Sequence, residues 1–383
     1  MANSNTRRRA VAHSGMPVRR FVEIPAQLEQ ALNQKVAGHL QAELGKRALL
    51  LSADQLQQAT AEAALGGERL LTRVLEQCYP AMRTGGCNFE FESERGASRL
   101  KAALVFGAAT ARLLAPSRRK LEPTWALVEA LCGVFNLGIG LVDTLCDEDP
   151  QTGRALLQLV QGLNLARGTE EPRGRGWLRA TLPPKLALNH ATAFAADIIE
   201  SFFETLHMTY PGDAWLQKRR GVGAQLVAAL AAEQGSVGSL KADRQRMIEC
   251  SRLTSVIPFQ IIESLARGDQ VTEQKAGTFL GEAMWYIDDL IDLGQDARSG
   301  ALNGVLLAAA EKAAVGGDAI ATLCFLLSST DIADAAALAA ESLLAGLRPA
   351  DPAEAAGAVE DHAPSLLFVS FIQRYAGLGP HAS

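Results

Sequence analysis

Three aspartates recur at every fourth position in the stretch YIDDLIDLGQD: Asp288, Asp292 and Asp296, with Asp289 beside the first. Residues four apart share one face of a helix, so this stretch predicts a row of carboxylates over two turns. Like charges at this spacing cost a bare helix roughly a few tenths of a kcal/mol per pair, and a divalent cation would reverse that cost. The alternative is a negatively charged surface helix. Surface helices usually mix signs, however, and no Lys or Arg interrupts this face before Arg298. The row therefore predicts metal binding.

A second, shorter acidic motif ends the apolar run LCGVFNLGIGLV, where Asp143 and Asp147 again lie four residues apart. Both carboxylates project from one helix face and are spaced to bridge a hard cation. The alternative is a solvated acidic helix end. Acidic residues at a helix C-terminus oppose the helix dipole and cost free energy unless they are paired. That unfavourable placement favours a functional interpretation.

The two acidic motifs lie 145 positions apart, in a chain that offers no His or Cys ligand cluster. Sites made only of carboxylates suit Mg²⁺, which prefers oxygen ligands and commonly bridges to phosphate. Two such helices facing each other across a bundle would form the mouth of a site for a magnesium–diphosphate complex. Apolar helix walls below that mouth would hold a hydrocarbon tail.

The composition predicts the helices that must position these motifs. Hydrophobic residues make up 48% of the 383 residues and aromatic residues only 5%, which favours packed helices over a sheet. Helical periodicity places the motifs on helices at 125–148 and 271–297, and no convincing strand is found. We expect an all-α protein: a disordered basic tail over 1–20, then one large helical domain over 21–383.

Charge and targeting signals exclude several classes of protein. A net charge of -5 argues against a nucleic-acid partner, which usually requires a basic surface. We find no run of about 18 or more apolar residues, so no membrane span is expected. The arginines near the N-terminus precede no apolar stretch, and the six cysteines form no CxxC pair. Reduced thiols and a cytoplasmic location are the expectation.

The stretch GTFLGEAMWYIDDLIDLGQDARSGALN, residues 277–303, resembles the second aspartate-rich region of trans-isoprenyl diphosphate synthases. Its Asp-x-Arg-x-Gly continuation is Asp296, Arg298 and Gly300, and its aspartate spacing also resembles the second metal motif of class I terpene cyclases. The first motif resembles the DDxxD of the same superfamily, with Thr144 in place of the second Asp. Over roughly residues 90–305, the chain therefore resembles the class I isoprenoid synthases.

The resemblance also implies residues that bind diphosphate. The segment GASRLK resembles a degraded Gly-Lys-x-x-Arg element and implies such a role for Arg99 and Lys101. Arg252 lies where the superfamily has a Lys-Thr pair near the metals, and Arg298 belongs to the second motif. The pair Arg374 and Tyr375 resembles the Arg-Tyr pair that closes over diphosphate in many cyclases.

The fold implied is a single helical bundle of the isoprenoid synthase type with a central apolar cavity, and the cofactor implied is three Mg²⁺ ions bound with the diphosphate. A homodimer is also implied. The acidic candidates are the metal ligands, and Asp143, Asp147, Asp288, Asp292 and Arg252 are the catalytic candidates for ionisation of an allylic diphosphate. The carbocation left behind needs a dry cavity, and aromatic faces stabilise cations. The cavity candidates are Phe135, Trp285 and Phe259.

Departures from the prenyl synthase pattern favour cyclisation over chain elongation. Thr144 removes one carboxylate, the Arg-Arg-Gly after the first motif is missing, and Trp285 stands where prenyl synthases usually carry Gln. We therefore expect a terpene synthase that cyclises a linear allylic prenyl diphosphate. The first alternative is a prenyltransferase that adds isopentenyl diphosphate, which the retained Arg99 and Lys101 support. The second is an inactive helical scaffold or regulatory subunit, against which the intact second motif argues.

Overall fold

The computed structural model describes most of the chain from residue 22 onward. The described residues are 22–78, 94–115, 124–148, 155, 177–187, 190–236, 244–268, 275–315, 318–348 and 363–379. All regular secondary structure in these ranges is helical, which confirms the all-α prediction. The tail predicted over 1–20 lies outside the described residues.

The helices are numbered here in chain order. They are α1 (Ala26–Lys46), α2 (Ala53–Cys78), α3 (Glu94–Leu114), α4 (Trp125–Glu148), α5 (Trp177–Thr181), α6 (Pro184–Ala187), α7 (His190–Thr209), α8 (Asp213–Ser236), α9 (Arg244–Arg267), α10 (Lys275–Ile291), α11 (Leu293–Ser299), α12 (Gly304–Ala313), α13 (Ala319–Ser328), α14 (Asp331–Leu347) and α15 (Ala363–Tyr375). The first acidic motif ends α4, and the second spans the end of α10 and α11. The predicted helix at 125–148 is confirmed with these bounds.

Helix α10 packs between α9 and α14, and glycines permit the close approach on both sides. A Cβ added to Gly281 would lie 2.5 Å from Cα of Val256 in α9. A Cβ added to Gly346 in α14 would lie 2.6 Å from a methyl carbon of Leu280. Such distances are too short for carbon atoms, so any larger residue at either glycine would force the helices apart.

The N-terminus of α10 is capped by a carboxylate from α9. The side chain of Glu263 is fully buried, and its Oε2 accepts a hydrogen bond of 2.8 Å from the backbone N–H of Gly277. The first N–H groups of a helix have no partner within the helix, so this contact satisfies one of them. Arg267 Nε lies 3.1 Å from Glu263 Oε1 and balances the buried charge. These contacts set the antiparallel register of α9 and α10.

Helix α4 is paired with α3 in the same antiparallel manner. Gly107 packs so closely on α4 that an added Cβ would clash with the carbonyl oxygen of Cys132. Further along α4, the side-chain amide of Asn136 donates to the carbonyl oxygen of Ala103 at 2.9 Å. As the residue number rises along α4, it falls along α3, so the acidic end of α4 lies beside the start of α3.

Phenylalanine rings connect the two antiparallel pairs inside the core. Phe106 of α3 contacts Phe259 of α9 with ring centroids 6.1 Å apart. Phe368 and Phe371 of α15 each lie 5.2 Å from the same Phe106 ring. Helices α3, α9 and α15 therefore meet at one aromatic cluster, which places the two pairs in a single core.

One helix in the described part of the chain is long and apolar enough to cross a membrane. The stretch Trp125–Val142 of α4 has a mean hydropathy of 1.8, but it is not an unbroken run of apolar residues. Glu129 and Asn136 fall within it, and 56% of the stretch is buried inside the bundle. Helices α13 and α14 would be long and apolar enough to cross a membrane only if they formed one span, and the angle between them is 74°.

Candidate active site

The acidic ends of α4 and α10 lie at the same end of the bundle. Helix α7 runs antiparallel to α4, because Phe202 lies 5.5 Å from Phe135 and the earlier Ile198 lies 3.5 Å from a Cβ added to Gly138. Tyr210, after the end of α7, therefore lies beside the start of α4. The hydroxyl of Tyr210 donates to the carbonyl oxygen of Leu265, which lies beside the start of α10. Both motif helices therefore start at this end of the molecule and run away from it.

The height of the acidic end of α4 can be measured from the aromatic cluster. Phe106 is followed by Gly107, which packs on Cys132 of α4. Asp143 lies eleven residues beyond Cys132 along the helix. At 1.5 Å per residue, the acidic end stands about 16 Å beyond the level of the cluster.

The acidic end of α10 stands at the same height. Phe259, in the same cluster, packs against Gly277, where an added Cβ would lie 2.7 Å from the Phe259 carbonyl oxygen. Asp288 lies eleven residues beyond Gly277 along α10. This separation again corresponds to about 16 Å, so Asp143 and Asp288 lie toward the same end of the bundle, at equal distances along their helices beyond the cluster.

Some predicted site residues are placed only by their helices. Asp143 and Asp147 belong to the last turns of α4, and Arg99 belongs to the first turns of α3. Their side chains lie outside the described residues, so their roles stay predictions. Because α3 and α4 are antiparallel, Arg99 and Asp143 are carried to the same end of that pair.

The second motif is divided between two helices, so the prediction of one helix over 271–297 is wrong. Helix α10 ends at Ile291, and Asp292, with φ -96° and ψ 5°, is the residue immediately before α11. The helical turns nevertheless continue, since the N–H of Asp292 donates to the carbonyl oxygen of Asp288 at 3.0 Å and the N–H of Asp296 to that of Asp292 at 2.8 Å. The three aspartates therefore keep their four-residue spacing, and all three are half-buried.

The C-terminal helix reaches the first aspartate of this row. The hydroxyl of Tyr375, the last residue of α15, donates to Oδ1 of Asp288. The end of α15 is held in place by buried Gln373, whose Oε1 accepts from the N–H of Leu51 at 2.9 Å. The amide nitrogen of Gln373 also donates to the carbonyl oxygen of Gly379 at 2.6 Å. These hydrogen bonds fix the end of α15, so Tyr375 is held beside Asp288, a candidate metal ligand.

The carboxylate of Asp289 caps helix α12. It is 5% exposed, and its Oδ2 accepts a hydrogen bond of 2.7 Å from the N–H of Gly304, the first residue of α12. Burial, reinforced by the negative charges of Asp288 and Asp296, raises the pKa of Asp289 to about 8 despite the backbone hydrogen bonds. The sequence grouped this residue with the metal ligands. Because the structure assigns its carboxylate to a helix cap, we leave it out of the proposed ligand set.

Arg252 is held between two carboxylates on the α9–α10 face. It donates to Glu249, one turn earlier on α9, at 2.7 Å, and to Glu282 of α10. Hydrogen bonds to Glu249 and the charge of Glu282 raise the pKa of Arg252, so the guanidinium stays charged. Its position is fixed near the second motif, and its role toward diphosphate stays a prediction.

The other predicted cations also have partners. Arg298 pairs with Glu29 of α1 at 2.6 Å, and its side chain is 40% exposed. Lys101 pairs with Glu68 of α2. Arg374 donates to hydroxyl and carbonyl oxygens of α2, while the neighbouring Tyr375 reaches Asp288. The two members of the predicted Arg-Tyr pair therefore contact different helices, Arg374 contacting α2 and Tyr375 contacting α10.

The three predicted cavity residues are all buried and packed. Phe135 lies against α7, and Phe259 belongs to the aromatic cluster. The indole N–H of Trp285 donates to Oγ of Ser251 at 3.2 Å, and a Cβ added to Gly304 would lie 2.7 Å from its ring. Trp285 of α10 thus contacts both α9 and the start of α12. A role for any of the three in lining a cavity stays a prediction.

The sequence interpretation missed Asn303, which is 1% exposed and caps α12 through its side-chain oxygen. The signal was present, because Asn is among the preferred residues immediately before a helix. It was overlooked because Asn303 falls outside the row of aspartates. Its contacts with that row depend on how α12 folds back onto α10.

The donor chemistry of the row fits Mg²⁺ when a diphosphate completes the coordination. Among the described residues, no three His, Cys, Asp or Glu side chains converge as a ready-made metal cage. Mg²⁺ is usually held by only one or two carboxylates, with waters and substrate phosphates filling the other positions. Asp288, Asp292 and Asp296 supply carboxylates of this kind at successive turns across the α10–α11 junction.

The chain matches no family model, and no curated protein matches its sequence. Among solved structures, it is similar to one described as the crystal structure of T. brucei farnesyl diphosphate synthase. That similarity covers 85% of this chain and 98% of the other, with a TM-score of 0.35 and 14% sequence identity. We base the functional proposal on the residues of the site and not on this likeness.

Proposed function

We propose that this chain is a magnesium-dependent enzyme of the class I isoprenoid synthase type, which ionises an allylic prenyl diphosphate between the ends of α4 and α10. The observation that carries the proposal is the common position of the two acidic helix ends. Two sequence segments 145 positions apart lie on helices that start at the same end of the bundle, and each segment lies about 16 Å along its helix beyond the aromatic cluster. An all-carboxylate pair of this kind suits a shared magnesium–diphosphate complex.

Each acidic group has a defined part in the proposal. Asp288, Asp292 and Asp296 would hold Mg²⁺ from one side, with Asp143 and Asp147 holding it from the other. Bound there, the ions would stabilise the negative charge that develops on the departing diphosphate. The hydroxyl and guanidinium groups near the row would add hydrogen bonds to the same oxygens.

The apolar core below the acidic ends supplies the second requirement of the reaction. An allylic cation is quenched by water, so the reacting chain must be enclosed by apolar side chains. Helices α3, α4, α9 and α10 present buried leucine, valine and phenylalanine side chains below the acidic ends. We propose that the hydrocarbon tail enters between these helices, with its diphosphate at the acidic rim.

We propose cyclisation as the specific reaction, and elongation as the second candidate. Lys101 favours elongation, because it lies on α3, whose start is beside the acidic end of α4, and could hold a second diphosphate. Its pairing with Glu68 of α2 and the altered first motif favour cyclisation. The test is product analysis with Mg²⁺ and a panel of prenyl diphosphates, with and without isopentenyl diphosphate.

The products decide between the two reactions. A hydrocarbon or terpene alcohol formed without isopentenyl diphosphate supports cyclisation. A longer prenyl diphosphate formed only when isopentenyl diphosphate is present overturns it. Asp288→Ala should abolish either product, whereas Asp213→Asn, on the exposed start of α8, should leave it unchanged.

Binding of pyrophosphate separates an enzyme from an inactive scaffold. A ligand that binds the native state raises the unfolding temperature, because it adds a stabilisation that grows with the logarithm of its concentration over Kd. We expect pyrophosphate to raise that temperature only when Mg²⁺ is present, and Asp288→Ala to remove the effect. No rise at high concentrations of both would favour the scaffold and overturn the proposed function.

A further inference from the structure

Asn303 lies at the corner where α11 gives way to α12, and each end of its side-chain amide has a definite partner. The oxygen Oδ1 accepts a hydrogen bond of 3.0 Å from the N–H of Leu306 and so caps α12. The nitrogen Nδ2 donates to Oδ2 of Asp296 at 2.9 Å and to the carbonyl oxygen of Asp289 at 2.7 Å. Both hydrogens of the amide are therefore used.

The helix cap determines which way this amide faces. A cap must accept a hydrogen bond from the helix N–H, so the oxygen of Asn303 is required on that side. The opposite orientation would place the amide oxygen against the carboxylate of Asp296 and leave its NH₂ group facing a donor. The capping contact therefore forces the NH₂ group toward Asp296.

We infer that Asn303 is a positioning residue that orients the Asp296 carboxylate for a divalent cation. The inference rests on the proposed function, which places Asp296 in the metal-binding row. A neutral donor fixes the orientation of a carboxylate without cancelling the charge that attracts the cation. Outer partners that orient metal ligands in this way typically change metal affinity by about 10- to 100-fold when they are removed.

The surrounding corner holds Asn303 rigidly. Gly300 ends α11 in a left-handed conformation, with φ 67°, and the N–H of Ala301 donates back to the carbonyl oxygen of Asp296 at 3.0 Å. Asp289 then accepts from the N–H of Gly304, the residue that follows Asn303. Hydrogen bonds therefore fix the segment between α10 and α12, which contains α11. Asn303 contacts Asp296 from a backbone position that these bonds hold in place.

The test replaces Asn303 while the helix cap is retained. Serine caps a helix about as well as asparagine but lacks the amide donor that reaches Asp296. We expect Asn303→Ser to weaken calorimetric binding of Mg²⁺ with pyrophosphate by about 10-fold. The unfolding temperature in metal-free buffer should fall by a few degrees, because the carbonyl oxygen of Asp289 also loses its donor. Asn303→Thr should behave alike and serves if the serine variant does not fold.

A matched control changes a cap far from the row. Asp318 caps α13 by accepting from the N–H of Ala321 at 3.1 Å. Asp318→Ser therefore also replaces a capping side chain by serine, at an exposed position, without touching the aspartates. It should leave the affinity for Mg²⁺ with pyrophosphate unchanged.

A double variant tests whether Asn303 acts through Asp296. Asp296→Asn alone should weaken binding of Mg²⁺ with pyrophosphate. Adding Asn303→Ser should weaken it no further, because the Asp296 carboxylate that Asn303 orients is already absent. Fully additive losses would overturn the positioning role, as would unchanged binding in Asn303→Ser. If the wild type itself binds no Mg²⁺ with pyrophosphate, the proposed function fails first, and the two failures are distinct.

Discussion

Glu263 is the buried carboxylate that joins α9 to the start of α10, and its removal should be costly. Its side chain is 0% exposed, it accepts from the N–H of Gly277 at 2.8 Å, and it faces Arg267 at 3.1 Å. Glu263→Ala leaves a buried N–H group and a largely buried guanidinium without this partner. Removing one partner of a buried ion pair costs about 3–5 kcal/mol. Because the Arg267 side chain is 17% exposed and water recovers part of that loss, we expect about 3 kcal/mol.

Urea unfolding followed by circular dichroism measures this free energy. Glu263→Gln keeps a carbonyl oxygen for the N–H of Gly277 and loses only the charge facing Arg267, so it should cost less than the alanine variant. The control is Lys46→Ala, which breaks an exposed ion pair with Glu43 and should not change the unfolding free energy measurably.

The reasoning is refuted if Glu263→Ala unfolds within about 0.5 kcal/mol of the wild type, the range of an ordinary surface substitution. The capping contact would then not hold α10 against α9. The level of Asp288, which is measured through that helix pair, would lose its support as well.

Three further predictions concern packing, the site and pH. Gly281→Ala should cost about 1–3 kcal/mol in urea unfolding by forcing α9 from α10, whereas Gly221→Ala, where no atom lies within 4 Å of the added Cβ, should not destabilise the protein. Tyr375→Phe should weaken calorimetric binding of Mg²⁺ with pyrophosphate several-fold and barely change the unfolding temperature, since it removes one half-exposed contact with Asp288; unchanged binding would contradict this. Burial raises the pKa of Asp197 from 3.8 to about 6, so the folded state favours the protonated form and stability should fall as pH rises between these values. Because the group is partly exposed, we expect a loss of about 1 kcal/mol, absent in Asp197→Asn, and equal pH profiles for the two proteins would refute it.

Composition and periodicity were sufficient to predict the fold class and the helix that carries the first motif. The break at Asp292 was not predicted, because the four-residue spacing continues through it and the hydrogen bonds of both turns are kept. After the second motif, α12 returns onto α10, where Gly304 contacts Asp289 and Trp285. That return is a tertiary contact with no periodic signal.

The role of Asp289 could not be derived from its position in the motif. Adjacent residues of a helix point about 100° apart, so Asp288 and Asp289 belong to different faces. Which of the two faces the site depends on where α12 packs. The structure directs Asp289 to the N–H of Gly304 and Asp288 to the hydroxyl of Tyr375.

The role of Trp285, an apolar residue, could not be derived from its position in the sequence either. Its place next to the acidic row suggested a wall of the cavity. In the structure, its indole N–H is bound by Ser251 and its ring is tightly packed against Gly304. Sequence spacing identifies which residues lie near the row, but the packing of neighbouring helices decides which face each one takes.

The most direct test of the central claim is a crystal structure of the protein grown with Mg²⁺ and pyrophosphate. We predict metal ions at about 2.1 Å from carboxylate oxygens of both helices, with Asp143 and Asp288 on opposite sides of one pyrophosphate. Ions bound by a single helix, or Asp143 and Asp288 at opposite ends of the bundle, would contradict the account.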